Sequence, residues 1–144
     1  MPSKRETVLG AVKALVASAL PGAEVKRNLA KPERIPPGGL VVIRDGDPGE
    51  PDVTLSPVSY LYTHRIPVEI AAFESATLTR EQVLDGMLAA IGAAIIANRR
   101  LGGLVDWIEA EAPTSEDIET NGSQAGRFAD VVIVATYATA DPLN

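Results

Sequence analysis

Residues 59–73 alternate between apolar and polar side chains, and this pattern restricts the possible folds more than any other part of the sequence. Alternation with a period of two places every second side chain on the same face of a β-strand. Because the pattern is longer than a usual strand, it predicts one long strand with one face in the core. Pro67 lacks the N–H that a central strand would donate, so we expect the strand to be at an edge, bulged or entering the sheet there. The predicted core face consists of Tyr60, Tyr62, His64, Ile66, Val68, Ile70 and Ala72, and the other face carries Thr63, Arg65 and Glu69.

Two other segments place apolar residues at helical spacing. The first covers residues 7–20, with Ser3 as a candidate N-cap and a Pro-Gly pair directly after it. The second opens at residues 77–81, where Thr79 and Gln82 have the spacing of a capping box. We expect this second, alanine-rich helix to run up to a Gly-Gly pair, with two arginines in its last turn.

The remaining segments predict short strands separated by loops. The predicted strands cover residues 24–28, 40–44, 105–112 and 125–139, and the predicted loops cover residues 32–39, 45–57 and 113–123. The last strand is apolar on both faces, as expected for a strand that is covered on both sides. The order α-β-β-β-α-β-β indicates an α+β fold: a mainly antiparallel or mixed sheet packed against two helices, in a single domain over residues 1–144. Residues 45–57 would form a long, mobile β-hairpin loop.

Composition excludes several classes of site. The 144 residues include no cysteine and one histidine, which rules out disulfide scaffolds, thiolate metal sites, cysteine nucleophiles and multi-histidine metal sites. Phosphate-binding loops, nucleophile elbows and metalloprotease motifs are also missing. The longest apolar run, residues 86–97, is too short for the ~20 residues that span a bilayer. With no secretion signal at its start, the chain is expected to be cytoplasmic.

Charge is distributed unevenly along the chain. The net charge of -6 disfavours tight binding to nucleic acid. Residues 1–44 hold eight bases and three acids, a balance of +5, whereas residues 45–144 have a balance of -11. Complementary faces of this kind suit head-to-tail packing of identical subunits. The alternative is that the two halves simply differ in their solvated charges.

Two features could carry chemistry but favour a structural interpretation. The acids of residues 45–52 weakly resemble a calcium loop, but Gly49 and Ser56 stand where ligands are needed, which favours a solvated loop. His64 lies on an apolar face without a second histidine or cysteine. It is therefore predicted to be a hydrogen-bonded sheet residue and not a general base or metal ligand.

Two further features allow both a functional and a structural interpretation: the acidic pair Glu109 and Glu111, and the aromatic residues. Two glutamates on one strand face could raise the pKa of one of them for acid–base work, but exposed acids on an edge strand explain them better. Trp107 and the three tyrosines could form a ligand-stacking surface, although packing in the core or at a subunit interface is favoured.

The order of these elements resembles the tail terminator proteins of long-tailed bacteriophages, their prophage remnants and gene transfer agents. The resemblance covers most of the chain. It is clearest in the Thr-His-Arg strand at residues 60–69, in the Leu-Gly-Gly-Leu-Val-Asp-Trp-Ile-Glu segment at residues 101–109 and in the ending at residues 137–143. None of these segments is a catalytic motif.

The resemblance implies a structural virion protein, not an enzyme, with no cofactor or metal. Members of the family form a hexameric ring that caps the finished tail tube, stops addition of tube subunits and offers the head-joining surface. The implied partners are further copies of the chain, the major tail tube protein and a head–tail connector or neck protein, with no membrane and with DNA only in passage. The implied location is the virion tail, assembled in the host cytoplasm.

The residues for these contacts are inferred from charge alone. We predict subunit contacts at Arg34, Arg44, Arg99 and Arg100. We predict tube-facing or lumen groups at Asp45, Asp47, Glu50, Asp52, Asp106, Glu109, Glu111, Glu116, Asp117 and Glu119. Two alternatives stay open at this point: a head–tail neck or tail-completion protein, and, from a different class, a small cytoplasmic hydrolase or ligand-binding domain.

Overall fold

The computed structural model describes residues 2–30, 36–118 and 126–144. Its helices are α1 (Lys4–Ala19) and α2 (Arg80–Ala97), with a short 3-10 turn at Leu101–Gly103. Its strands are β1 (Glu24–Arg27), β2 (Leu40–Ile43), β3 (Asp52–Thr54), β4 (Ser59–Ala72), β5 (Trp107–Ala110), β6 (Thr114–Ile118) and β7 (Gly126–Thr139). The predicted α+β class is confirmed.

β4 and β7, with 14 residues each, form the antiparallel centre of the sheet. Their register runs from Tyr60 opposite Thr139 to Ala72 opposite Arg127. Two short strands in tandem pair with the outer side of each: β2 and β3 with β4, and β5 and β6 with β7. β1 joins β2 in parallel. In the described part of the sheet, β1 and β3 therefore lie at one edge, and β5 and β6 lie at the other.

Both helices pack on one face of the sheet, and the main core lies between the helices and that face. The predicted core face of the long strand is confirmed, because every second residue from Tyr62 to Ala72 is buried. The start of α1 is fixed by the Ser3 hydroxyl, which accepts the Glu6 N–H at 3.1 Å. The predicted capping box at the start of α2 is also confirmed.

The opposite face of the sheet is only partly covered, which corrects the prediction that the last strand is buried on both sides. Val132 and Val134 point away from the helices and are half-buried. A small second cluster covers this face near β2, where Leu40, Val42 and Ala71 are buried. The apolar residues of the last strand therefore predicted more burial than the strand has.

Two strands lie within segments predicted to be loops. β3 falls inside residues 45–57 and β6 inside residues 113–123, so the observed order is α-β-β-β-β-α-β-β-β. β3 is exposed at all three positions and carries an acid. Such short, polar edge strands have too few residues to show a period of two, so composition alone predicted a loop.

Pro67 lies in a central strand and not at an edge. It pairs with Val132 of β7, while its carbonyl, on the other side, accepts the Arg44 N–H at 2.9 Å. The nitrogen of Pro67 faces this second side, where β2 ends at Ile43. The register then shifts by one residue before Asp47 bridges to β4. The missing donor thus coincides with a bulge, which is one of the three arrangements expected.

α2 ends earlier than predicted. Its last residue is Ala97 and its C-cap is Asn98, so Arg99 and Arg100 follow the helix and are not in its last turn. The Gly-Gly pair belongs instead to the 3-10 turn, where Gly102 has a positive φ of 70°. Among the described residues, no helix combines the length and apolar character needed to cross a membrane.

Candidate functional site

The arginines predicted to contact another subunit differ in how many contacts they make within their own chain. Arg44 is held by Glu69, with Nε–Oε2 at 2.8 Å, and it also donates to the Leu29 carbonyl. Arg99 stacks on the Trp107 ring, 4.8 Å from its centroid, and donates to the Ile108 carbonyl. Arg100 is exposed. Arg34 lies outside the described residues.

Among the acids predicted to face the tube or lumen, Asp45 stands apart because it is tied into the fold. Its Oδ1 accepts from Arg27 Nε at 2.7 Å, and the same arginine forms a bidentate pair with Glu6. The arginine hydrogen bond is the main cause that lowers the pKa of Asp45. Asp45 therefore anchors the start of the acidic loop to β1 and α1.

Most of the other acids in this set are exposed, and they lie at both edges of the sheet. Asp47 closes a short turn by accepting the Gly49 N–H at 2.9 Å. The exposed acids are Asp47, Glu50 and Asp52 in or next to β3, and Asp106, Glu109, Glu111 and Glu116 in or next to β5 and β6. Asp117 lies in β6 opposite Arg127. Glu119 lies outside the described residues.

His64 is fully buried, and both of its ring nitrogens have partners. Nε2 lies 2.6 Å from the Asp45 carbonyl oxygen, and Nδ1 lies 2.9 Å from the Tyr137 hydroxyl. A carbonyl can only accept, so Nε2 carries the proton and Nδ1 accepts from the tyrosine. Burial lowers the pKa of His64 and raises the pKa of Tyr137 to about 12, so both groups stay neutral. The prediction of a hydrogen-bonded sheet residue is confirmed.

Glu109 and Glu111 do not form the coupled acid pair that was considered. Glu111 is bound in a bidentate pair by Arg65, with both N–O distances at 2.5 Å. The Arg65 hydrogen bond lowers the pKa of Glu111, whereas a general acid would need a raised one. This pair ties the segment between β5 and β6 to β4.

The β3–β4 hairpin carries an exposed apolar surface, here called the hairpin patch. It consists of Val53 in β3, Leu55 after it and Val58 before β4, and Leu55 is 79% exposed. This surface was not predicted from the sequence, because the acids and prolines around it are typical of a solvated loop. The available signal was three aliphatic residues within six positions of an otherwise polar loop.

A second apolar surface lies at the opposite edge, between the end of α2 and β5. A shallow groove there is lined by Gly92, Ile95, Ile96, Arg99, Glu109 and Ala110. Ile96 is 68% exposed and Trp107, beside the groove, is 47% exposed. We call this surface the Trp107 groove. Trp107 is thus not a core residue, whereas Tyr62 and Tyr137 are buried and their rings lie 6.0 Å apart.

In the described ranges, no group of three or more histidine, aspartate or glutamate side chains is placed to hold a metal ion. The fold also presents two exposed apolar surfaces, the hairpin patch at one edge of the sheet and the Trp107 groove at the other.

Comparison with solved structures gives a structural likeness but no sequence family. No family model and no curated protein matches the chain. A solved structure described as "Virion of native gene transfer agent (GTA) particle" contains a chain that is 12% identical to this one. The match covers 92% of this chain and 95% of that chain, with a TM-score of 0.43.

Proposed function

We propose that this chain is a structural virion protein of a phage-type tail: a tail terminator that caps the finished tube as a hexameric ring. In this role it stops the addition of tube subunits and provides the surface that joins the head. The sequence resemblance to tail terminators is the starting point. The structural observation that carries the proposal is the presence of two different apolar surfaces at opposite edges of one sheet.

Unlike surfaces at opposite edges favour ring assembly for a geometric reason. A twofold dimer joins one patch to the same patch, whereas unlike patches join head to tail, and head-to-tail contacts close into rings when the rotation permits. The hairpin patch and the Trp107 groove differ in both shape and charge. They therefore support a ring better than an isolated dimer.

The exposed acids suit a protein through which DNA passes. Phosphates are repelled by like charge, so an acidic channel would let DNA slide without sticking. Asp106, Glu109 and Glu116 are exposed on or next to the β5–β6 edge. In the proposed ring, Glu116 and other acids of this edge that lie outside the Trp107 groove line the channel or face the tube.

The geometry favours an interaction module over a hydrolase. The single histidine is buried, its two nitrogens are used by a backbone carbonyl and a tyrosine, and its lowered pKa keeps it neutral. A general base needs hydrogen-bond access to a substrate proton, which these contacts deny.

Two measurements test the proposal: the mass of the assembly in solution and the identity of the structure that it binds. Light scattering behind a sizing column, over a range of protein concentration and salt, should show a hexamer or a concentration-dependent rise towards one. Electron microscopy should then show the protein on the ends of purified tail tubes. Binding to a portal or head adaptor with no binding to tube ends would instead identify a head–tail neck protein.

A further inference from the structure

The hairpin patch has the properties of a protruding donor surface. β3 pairs with β4 on one side, and no strand of the described chain pairs with its other side. Leu55 extends past the end of β3 and leaves most of its side chain in solvent, with Val53 and Val58 beside it. Burying an isolated leucine of this kind is a strong source of binding free energy.

The Trp107 groove has the properties of an acceptor. Gly92 has no Cβ, and there is open space where a Cβ would lie. Ala110, on the other side of the groove, has only a methyl side chain, so both sides leave room for a partner. Arg99 is held between the Trp107 ring and the Ile108 carbonyl, 3.0 Å from its Nη1. A cation fixed in this way loses little conformational entropy when a partner binds.

The two surfaces also differ in charge. Residues 45–58 include four acids and no base, and three of these acids, Asp47, Glu50 and Asp52, are exposed. The α2 side of the groove offers Arg99 and Arg100. Asp106 and Glu109 lie in or next to β5, and the Arg99 guanidinium reaches over the Trp107 ring of the same strand. An acidic hairpin that approaches Arg99 and Arg100 meets opposite charge.

We propose that the hairpin patch of one copy docks in the Trp107 groove of the next copy, with Leu55 against Ile96 and the hairpin acids facing Arg99 and Arg100. The strands follow the order β3, β4, β7, β5 across the sheet, so donor and acceptor lie on opposite edges of the same chain. Each copy can therefore give one contact and receive another. This inference deepens the proposed function and rests on its self-assembly.

Two substitutions by an uncharged polar residue test the contact. Leu55→Gln disables the donor and Ile96→Gln disables the acceptor, and both positions are exposed enough for the fold to tolerate the change. Each variant alone should self-associate about 10-fold more weakly or worse, because an apolar anchor is lost. Mixed together, the two variants should form a one-to-one heterodimer, because one intact donor meets one intact acceptor. Leu78→Gln, at an exposed leucine before α2, is the matched control and should assemble like the parent chain.

Native mass spectrometry distinguishes the outcomes. Full assembly by either variant, or a mixture that stays monomeric while the parent chain assembles, overturns the hairpin–groove contact.

The same contact is tested on tube ends with a Leu55→Cys, Ile96→Cys chain. Because the protein has no native cysteine, every disulfide joins introduced positions, and peptide mapping distinguishes the expected 55–96 link from 55–55 and 96–96 links. A disulfide needs Cα atoms within about 7 Å, so its formation reports direct proximity. Rings that cap tubes without this disulfide refute the contact and leave the proposed function standing. A chain that neither self-associates nor caps tubes refutes both.

Discussion

Replacement of Tyr137 by phenylalanine tests the buried hydrogen-bond network at the centre of the sheet. Tyr137 is 2% exposed, and its hydroxyl is the partner of His64 Nδ1. The ring contacts with Tyr62 are kept in the variant, so only the hydroxyl is removed. Any change in stability therefore reports on the hydrogen bond.

The size of the effect follows from the histidine tautomer. The Asp45 carbonyl holds the proton on Nε2, so neutral His64 cannot turn Nδ1 into a donor to find another partner. The variant leaves a buried acceptor unsatisfied, which costs about 1–3 kcal/mol. For a chain of this size, the melting temperature should fall by roughly 2–4 °C for each kcal/mol.

Urea unfolding gives the free energy, with Tyr60→Phe as the matched control. Tyr60 lies on the same strand face as His64 but is only half-buried, so its variant should lie within about 0.5 kcal/mol of the parent. The single histidine also gives one set of imidazole nitrogen resonances, which report the tautomer directly. If Tyr137→Phe unfolds at the same urea concentration as the control, or if the resonances show a proton on Nδ1, the network described here is wrong.

Three further predictions concern pH, helix capping and backbone strain. Because burial lowers the pKa of His64 below its ordinary value of 6.5, the unfolded chain binds more protons, so stability should fall as pH drops below about 6.5. A His64→Gln chain should show a flatter pH dependence of its urea midpoint around that value. Thr79→Ala should cost about 1 kcal/mol through loss of the capping box, whereas Thr77→Ala should be nearly neutral in the same unfolding assay. Gly46→Ala should destabilise more than Gly49→Ala: both have a positive φ, but a Cβ at Gly46 would lie 2.3 Å from a β4 carbonyl oxygen, while Gly49 has open space. Equal melting temperatures for the two alanine variants would contradict the close approach.

The parts of the fold that could be predicted from sequence are those where a long pattern repeats. The alternation along β4 gave the core face because one-sided burial repeats over many positions. The capping box at Thr79 has a fixed spacing that local chemistry enforces. β3 and β6 have three and five residues, so their pairing with the long strands, and not their own pattern, makes them strands.

The candidate surfaces were harder to predict because they depend on which residues stay uncovered. Trp107 and Ile96 are apolar residues of the kind that fill cores, yet both stay largely uncovered in the folded chain. The subunit contact of Arg44 stays a prediction, and the fold adds a partner that its charge alone did not indicate, since Glu69 lies beside it. Charge and hydropathy along the chain indicate what a residue can bind. The fold decides whether its own chain already binds it.

The length mismatch between strands explains how this fold comes to have two recognition edges. β4 and β7 are 14 residues long, but the strands that cover their outer sides have only three to five. Short edge strands offer few unpaired backbone groups, which limits unspecific pairing between sheets. Recognition must then come from side chains placed at these edges, such as Leu55 on one and Trp107 on the other. In the proposed ring, side chains of this kind would set one register between copies, and the short edges would limit the open-ended strand addition that a long edge permits.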